Sequence, residues 1–198
     1  IRLMVKMQFQ VGVARRICET IGTVGMPPVA EKLGHMAAQA AMVEGLVYGM
    51  ESGGGEYNGY YVPDRNLMYS AQVLTQQLYP EFVTSMRELA GGGLIMLPSS
   101  VEDFTNPELN KYIEITQKSA INSPEEKVKF MKLAWDAIGS EFASRHTQYE
   151  MFYAGAQFVT RAHAFRTYDW ERSSDLLDSI LNRYSLDDVI DGDRMAAE

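Results

Sequence analysis

The residues that invite a chemical reading lie between Val128 and Phe152. Taken in steps of three and four, Val128, Met131, Trp135, Ile138, Phe142, Arg145, Tyr149 and Phe152 fall on one helical face. All are apolar or aromatic except Arg145. A guanidinium keeps its charge, so a buried one needs an anionic or carbonyl partner. Two partners fit. One is a carboxylate of the same bundle: Glu141, Glu150 or an acid from a neighbouring helix. The other is a ligand bearing phosphate, carboxylate or phenolate. His146 and Tyr149, beside Arg145, favour weighing the ligand seriously.

A second candidate is GGGLIMLPSS, Gly91 to Ser100. The glycines end a helix and let backbone pass close to a bulky group. LIML reads as buried, and Pro98 stops it. Ser99 or Ser100 caps a short helix, with Glu102 or Asp103 closing the box. The same free N–H groups and hydroxyls suit an anion such as a pyrophosphate. Periodicity does not choose between the two.

Other sites are weaker. His35 reads as a packed or interface histidine, and His163, between Arg161 and Arg166, as part of a solvated basic patch. The three histidines lack metal-ligand spacing. No Glu-x-x-His pair supports a di-iron bundle. The phosphate loop, the dinucleotide fingerprint and the serine elbow are missing too. No metal site is expected, and no catalytic residue announces itself.

The elements that would position these residues are helices. The 198 residues suit one domain, and 46% hydrophobic with 22% charged is an ordinary globular composition. A net charge of −8 argues against a nucleic-acid surface. No apolar run reaches the roughly 20 residues of a membrane span. The lone Cys18 reads as a small buried side chain and fits a reducing, cytoplasmic setting.

The periodicity predicts helices over Ile1 to Ile21, Val29 to Met50 and Asn66 to Leu89, the third interrupted or bent at Pro80. ESGGGEYNGYYVPDRN reads as a Gly/Tyr-rich loop. Asn106 and Pro107 start a short helix. Ser123, Pro124 and Glu126 form a capping box that opens a long helix to about Tyr153. A last helix covers Ser173 to Tyr184. The fold class is therefore all-α, an antiparallel helical bundle. Residues 1–185 form the domain, and 186–198 an acidic, mobile tail. The opening IRLMVKMQFQ starts inside an apolar helical pattern, as a piece of something longer would.

GGGLIMLPSSVEDFTNPEL and KLAWDAIGSEFASRHTQYEMFYAG resemble the C-terminal domain of the 4-hydroxyphenylacetate 3-monooxygenase oxygenase-component family. TVGMPPVAEKLGHMAAQAAMVEGL and YYVPDRN fit the same likeness, which covers Ile1 to about Tyr184. It implies a bundle like the acyl-CoA dehydrogenase C-terminal domain. It implies a flavoenzyme: a separate reductase supplies reduced FAD, O2 adds to the flavin, and a phenol gains oxygen ortho to its hydroxyl. It implies homotetramers, dimers of dimers, with flavin sites between domains and subunits.

Residue by residue, the likeness points to Ser99 and Ser100 as FAD phosphate or adenosine contacts. It brings the turn Tyr153, Ala154, Gly155, Ala156 and Gln157 near FAD, and faces Arg145 and His146 to flavin or substrate. The family's N-terminal helical and central β domains do not match anything here, so this chain is expected to be inactive alone. Two other readings are an acyl-CoA dehydrogenase-like flavoenzyme of different chemistry and a helical oligomerisation module. A flavin and iron–sulfur dehydratase fits poorly, because its cluster needs several cysteines.

Overall fold

The computed structural model describes residues 1–185; the acidic segment 186–198 lies outside them. Helix α1 spans Arg2–Ile21, α2 Pro27–Ser52 and α3 Arg65–Ala90. A single 3-10 turn at Gly91–Leu94 leads to α4 (Glu102–Thr105) and α5 (Pro107–Thr116). Then follow α6 (Pro124–Ile138), α7 (Glu141–Phe152), α8 (Gln157–Thr167) and α9 (Trp170–Leu181). The expected all-α bundle is what forms. Its hub is α3, which packs against α1, α2, α6, α7 and α8.

Local chemistry explains most boundaries. Helix α1 closes at Gly22, whose φ of 81° lets its N–H reach the carbonyls of Cys18 and Glu19. Pro27 and Pro28 do more than stop α1: they occupy the first turn of α2, where their missing N–H groups cost nothing. Asp64 caps α3 by accepting from Leu67 N at 2.7 Å. The α3 helix runs on through Pro80. Asn106 caps α5. Ser123 and Glu126 form the predicted reciprocal box on α6. Asp169 caps α9 by accepting from Arg172 N, so the helix begins at Trp170, three residues before the expected Ser173.

Four expectations are corrected. The Gly/Tyr-rich loop is a hairpin, β1 (Gly55–Tyr57) pairing antiparallel with β2 (Tyr60–Val62). Its turn uses Asn58 at φ 51° and Gly59 at φ 80°, the two left-handed positions that a tight primed turn demands. Helix α8 lies where no helix was expected. Within LIML only Leu94 is buried, while Ile95 and Met96 are exposed. The long helix to Tyr153 breaks into α6 and α7 at Gly139 and Ser140. Trp135 folds back over Gly139, where a Cβ would sit 2.4 Å from the indole. Ser140 then caps α7 by accepting from Ala143 N.

The core gathers Leu3, Met7 and Ile17 of α1, Met36 and Val43 of α2, and Leu78, Phe82 and Met86 of α3 around Met131 and Ile138 of α6. Gly93 earns its place by proximity, since a Cβ there would stand 3.1 Å from Met131 Cε. Cys18 is buried, and burial pushes its thiol pKa up. Among the described residues, no helix is long and apolar enough to cross a membrane.

Phe82 is fully buried and Ser123 only holds a helix start. In thermal unfolding, Ser123→Ala is expected to cost about 1 kcal/mol and lower Tm by about 2–4 °C. Phe82→Ala, which empties the core, should cost about 3–5 kcal/mol and lower Tm several times as far. Equal shifts would mean that the α6 start is held by something other than its box.

Candidate functional site

Helices α1 and α7 each contribute residue pairs one turn apart. Arg2 and Lys6 share a face of α1; His146 and Glu150 share a face of α7. Glu150 is fully buried, and its carboxylate must find cations or remain uncompensated. Arg2 meets it with a two-pronged fork, at 2.8 Å to Oε1 and 3.1 Å to Oε2. Lys6 Nζ donates to Oε1 at 2.5 Å and lies 3.0 Å from His146 Nδ1.

Aromatic rings surround this knot. The Arg2 guanidinium carbon sits 4.5 Å from the centre of the Tyr149 ring and 5.1 Å from that of Tyr153. Those two rings stack at 5.4 Å. Lys6 Nζ lies 5.2 Å from the centre of the Tyr79 ring, whose hydroxyl accepts from Gln10 Nε2 inside the core. Burial raises the phenol pKa of both Tyr79 and Tyr153, and the nearby Glu150 charge adds to it. Burial first, then the Lys6 ammonium, lower the pKa of His146; Glu150 opposes them.

Outside the knot, Arg2, Phe142, Arg145, His146 and Tyr149 line an open hollow of about 480 Å³. Its wall carries two guanidiniums and two aromatic rings beside one imidazole. That lining suits an anion attached to a flat, conjugated body.

The predicted stripe does not hold as a buried seam. Val128, Met131 and Ile138 are buried, but the break at Gly139 resets the helical register. On α7 the buried positions are Ala143 and Glu150. Phe142, Tyr149 and Phe152 are at least half-exposed or nearly so, and the Arg145 side chain is 80% exposed. Its only ion-pair partner among the described residues is Glu141, at 3.9 Å. Such an exposed pair contributes little. The cation that must be compensated belongs to α1, and the buried anion is Glu150. Sequence reasoning missed Arg2 and Lys6. Two like charges four residues apart on α1 gave no local signal of an acid 144 to 148 residues away.

Ser99 and Ser100 line other hollows, and acids hold their hydroxyls. Ser99 Oγ donates to Asp103 Oδ2 at 3.2 Å, and Ser100 Oγ donates to Glu102. Ser100 N donates to Asp103 Oδ2 at 3.0 Å, which lowers the pKa of that carboxyl. The expected serine cap on α4 does not form: Val101 is its N-cap residue and makes no side-chain cap bond, and the serines bond to Glu102 and Asp103 instead. The turn Tyr153 to Gln157 joins α7 to α8, with Gly155 at φ 111°. Its backbone is pinned from α3: buried Gln76 donates to Gly155 O at 2.8 Å and accepts from Thr160 Oγ1 at 2.9 Å. Ala156 N-caps α8 and Gln157 begins it, while Ala154 sits within the turn. The structure brings Arg145, His146 and Tyr153 around Arg2 and leaves the serines elsewhere.

His35 is exposed, 3.5 Å from Glu81, and His163 stacks on Tyr69 at 4.8 Å. Among the described residues no cluster of His, Cys, Asp or Glu is arranged to hold a metal.

The family model described as 4-hydroxyphenylacetate 3-hydroxylase C terminal matches residues 1–182. The chain belongs to this family. It is 35% identical, over 83% of its length, to the 4-hydroxyphenylacetate 3-monooxygenase oxygenase component of Pseudomonas aeruginosa. Identity to the Escherichia coli oxygenase component is 31% over 92% of the chain. The aligned regions span only 32% and 36% of those two relatives, about a third of each. A crystal structure of an oxygenase component, HpaB, complexed with FAD and 4-hydroxyphenylacetate superposes with a TM-score of 0.85 at 28% identity. That match covers 91% of this chain and 38% of the other. An archaeal 4-hydroxybutyryl-CoA dehydratase from N. maritimus shares the fold alone, with a TM-score of 0.79 at 17% identity over 90% of this chain and 36% of that one.

Glu150→Gln should leave Arg2 and Lys6 facing a neutral amide. The expected loss in urea unfolding is about 3 kcal/mol, the low end for a buried pair because Arg2 is half-exposed. Arg145→Ala should change stability by less than about 0.5 kcal/mol. His146 adds a pH dependence. Its pKa falls from 6.5 on folding, so the unfolded chain binds that proton more tightly. Its contribution is complete above about pH 6.5 and is lost as pH drops through the depressed folded value. His146→Gln should flatten that part of the stability–pH curve.

Proposed function

We propose that this chain is the C-terminal helical part of the oxygenase component of a two-component, FAD-dependent phenol monooxygenase. The carrying observation is the hollow between α1 and α7, whose guanidinium and aromatic wall suits a flavin. Family membership supplies the reaction class, and the FAD-bound relatives supply the cofactor. Reduced FAD, when bound, supplies the electrons and the centre at which O2 is activated for ortho-hydroxylation of a phenol to a catechol.

The chain's own residues would bind and orient. Arg145 and Arg2 offer positive charge to the cofactor or to a phenolate. Phe142 and Tyr149 offer apolar surface and help exclude water, and Tyr153, at the turn that Gln76 fixes, stacks on Tyr149. Ser99 and Ser100 are a separate proposal. A phosphate would reach them only by displacing the Glu102 and Asp103 carboxylates. Ala154, Gly155, Ala156 and Gln157 act through the shape of the turn.

The proposed substrate is a phenol of the 4-hydroxyphenylacetate kind. Relatives named for 4-nitrophenol and for a chlorinated tyrosine-like substrate widen the class. A flavin reductase is the proposed partner and the cytoplasm the proposed setting. Assembly as a homotetramer is supported by α9, which buries no residue against the described residues and exposes Leu176, Leu177, Ile180 and Leu181.

The test uses a polypeptide carrying this chain together with the remaining length of its relatives. Given a reductase, NADH, FAD and O2, it should convert 4-hydroxyphenylacetate or a related phenol to the catechol, while residues 1–198 alone should not. Arg145→Ala in that polypeptide should weaken reduced-FAD affinity about tenfold with Tm unchanged. A fall in Tm with affinity intact would make Arg145 a structural residue.

A further inference from the structure

The contact between Lys6 and His146 fixes more than geometry. An ammonium group has three donors and no acceptor. With Nζ 3.0 Å from His146 Nδ1, that ring nitrogen has to present its lone pair. A neutral imidazole then carries its single proton on Nε2. A second proton on Nδ1 would point N–H at N–H beside a cation already held against Glu150. The groups facing the ring are Lys6 and Arg2 from α1 and Glu150 from its own helix. Phe142 backs the ring with centroids 4.2 Å apart. His146 lies on the wall of the hollow and Lys6 does not.

We propose that Lys6 is a positioning residue for His146. It holds Nδ1 as an acceptor, so that His146 offers a neutral Nε2–H donor to an anionic group of the ligand in the α1/α7 hollow. The buried Glu150 anchors Lys6 and so sets this arrangement from below. The tautomer stands on the contact alone; the ligand half rests on the flavin reading above. In that reading His146 is a hydrogen-bond donor and not a proton donor, because it has no second proton to give.

Long-range proton–nitrogen NMR on histidine-labelled chain tests the tautomer. There are only three histidines, and His35→Gln and His163→Gln assign the third. His146 should show protonated Nε2 and bare Nδ1 near neutral pH, with a titration midpoint below 6.5. In Lys6→Met the midpoint should rise and the tautomers mix. A protonated Nδ1 in the unsubstituted chain, or a midpoint at or above 6.5, overturns the proposal even if Lys6→Met fails to fold.

The ligand half is read by anaerobic binding of reduced FAD to the longer polypeptide. Glutamine can place an N–H close to Nε2, so His146→Gln should bind within about twofold of the parent, and His146→Phe about tenfold more weakly. Equal binding by both variants overturns it. Catechol formation by the unsubstituted polypeptide is scored separately. Product together with indifferent variants sinks this inference alone, whereas absence of product sinks the flavin monooxygenase reading.

Discussion

The arrangement of this site depends on one buried carboxylate. Glu150 has no solvent to stabilise it, so its two oxygens must be satisfied by cations reaching in from outside. Arg2 and Lys6 do so from α1, and they thereby dock the first helix of the chain against the seventh. Everything near the hollow follows. Arg2 lies over two tyrosines because its fork is held at the carboxylate. Lys6 touches His146 because it is held there too. A hydrophobic pair of the same size would join the helices as well. It would not leave a guanidinium at the rim or fix an imidazole.

Helix α7 divides its labour by face. Toward the core it places only Ala143 and Glu150, so packing and charge pairing share one narrow strip. Toward the outside it places Phe142, Arg145 and Tyr149. The break at Gly139 makes this possible. Had α6 continued straight, Phe142 and Arg145 would follow Ile138 into the core. There the arginine would need a partner, and the one buried acid among the described residues is already engaged by two cations.

Where the sequence spoke through local chemistry, it was legible. The α6 box at Ser123 and the α5 cap at Asn106 involve neighbours three residues apart, and both form. The Asn58–Gly59 hairpin was equally local and was passed over among the surrounding glycines and tyrosines. The stripe through Arg145 failed for another reason. Its period is compatible with one long helix, and nothing in the spacing reveals that Trp135 folds over Gly139 and ends it. The site was partly legible for a similar reason. His146 and Tyr153 stood out by type and by family likeness. Arg2 and Lys6 looked like ordinary surface cations, because their partner is 144 to 148 residues away in the chain. Pairings at that range are set by tertiary packing, to which a local pattern is blind.

Helix α9 is 12 residues long and buries nothing against the described chain. A helix of that length is marginal by itself in water. Yet it has a sharp apolar face, with Leu176, Leu177, Ile180 and Leu181 exposed, and Phe158 and Phe165 are exposed on neighbouring α8. The α1/α7 hollow is likewise open, with aromatic rings facing outward. Two surfaces of this kind on one bundle are hard to reconcile with a finished monomer. Both are surfaces suited to burial against further polypeptide or a second copy. On this reading the buried Glu150 knot is a contribution the domain makes unaided, and the hollow is the face it offers to whatever completes the site.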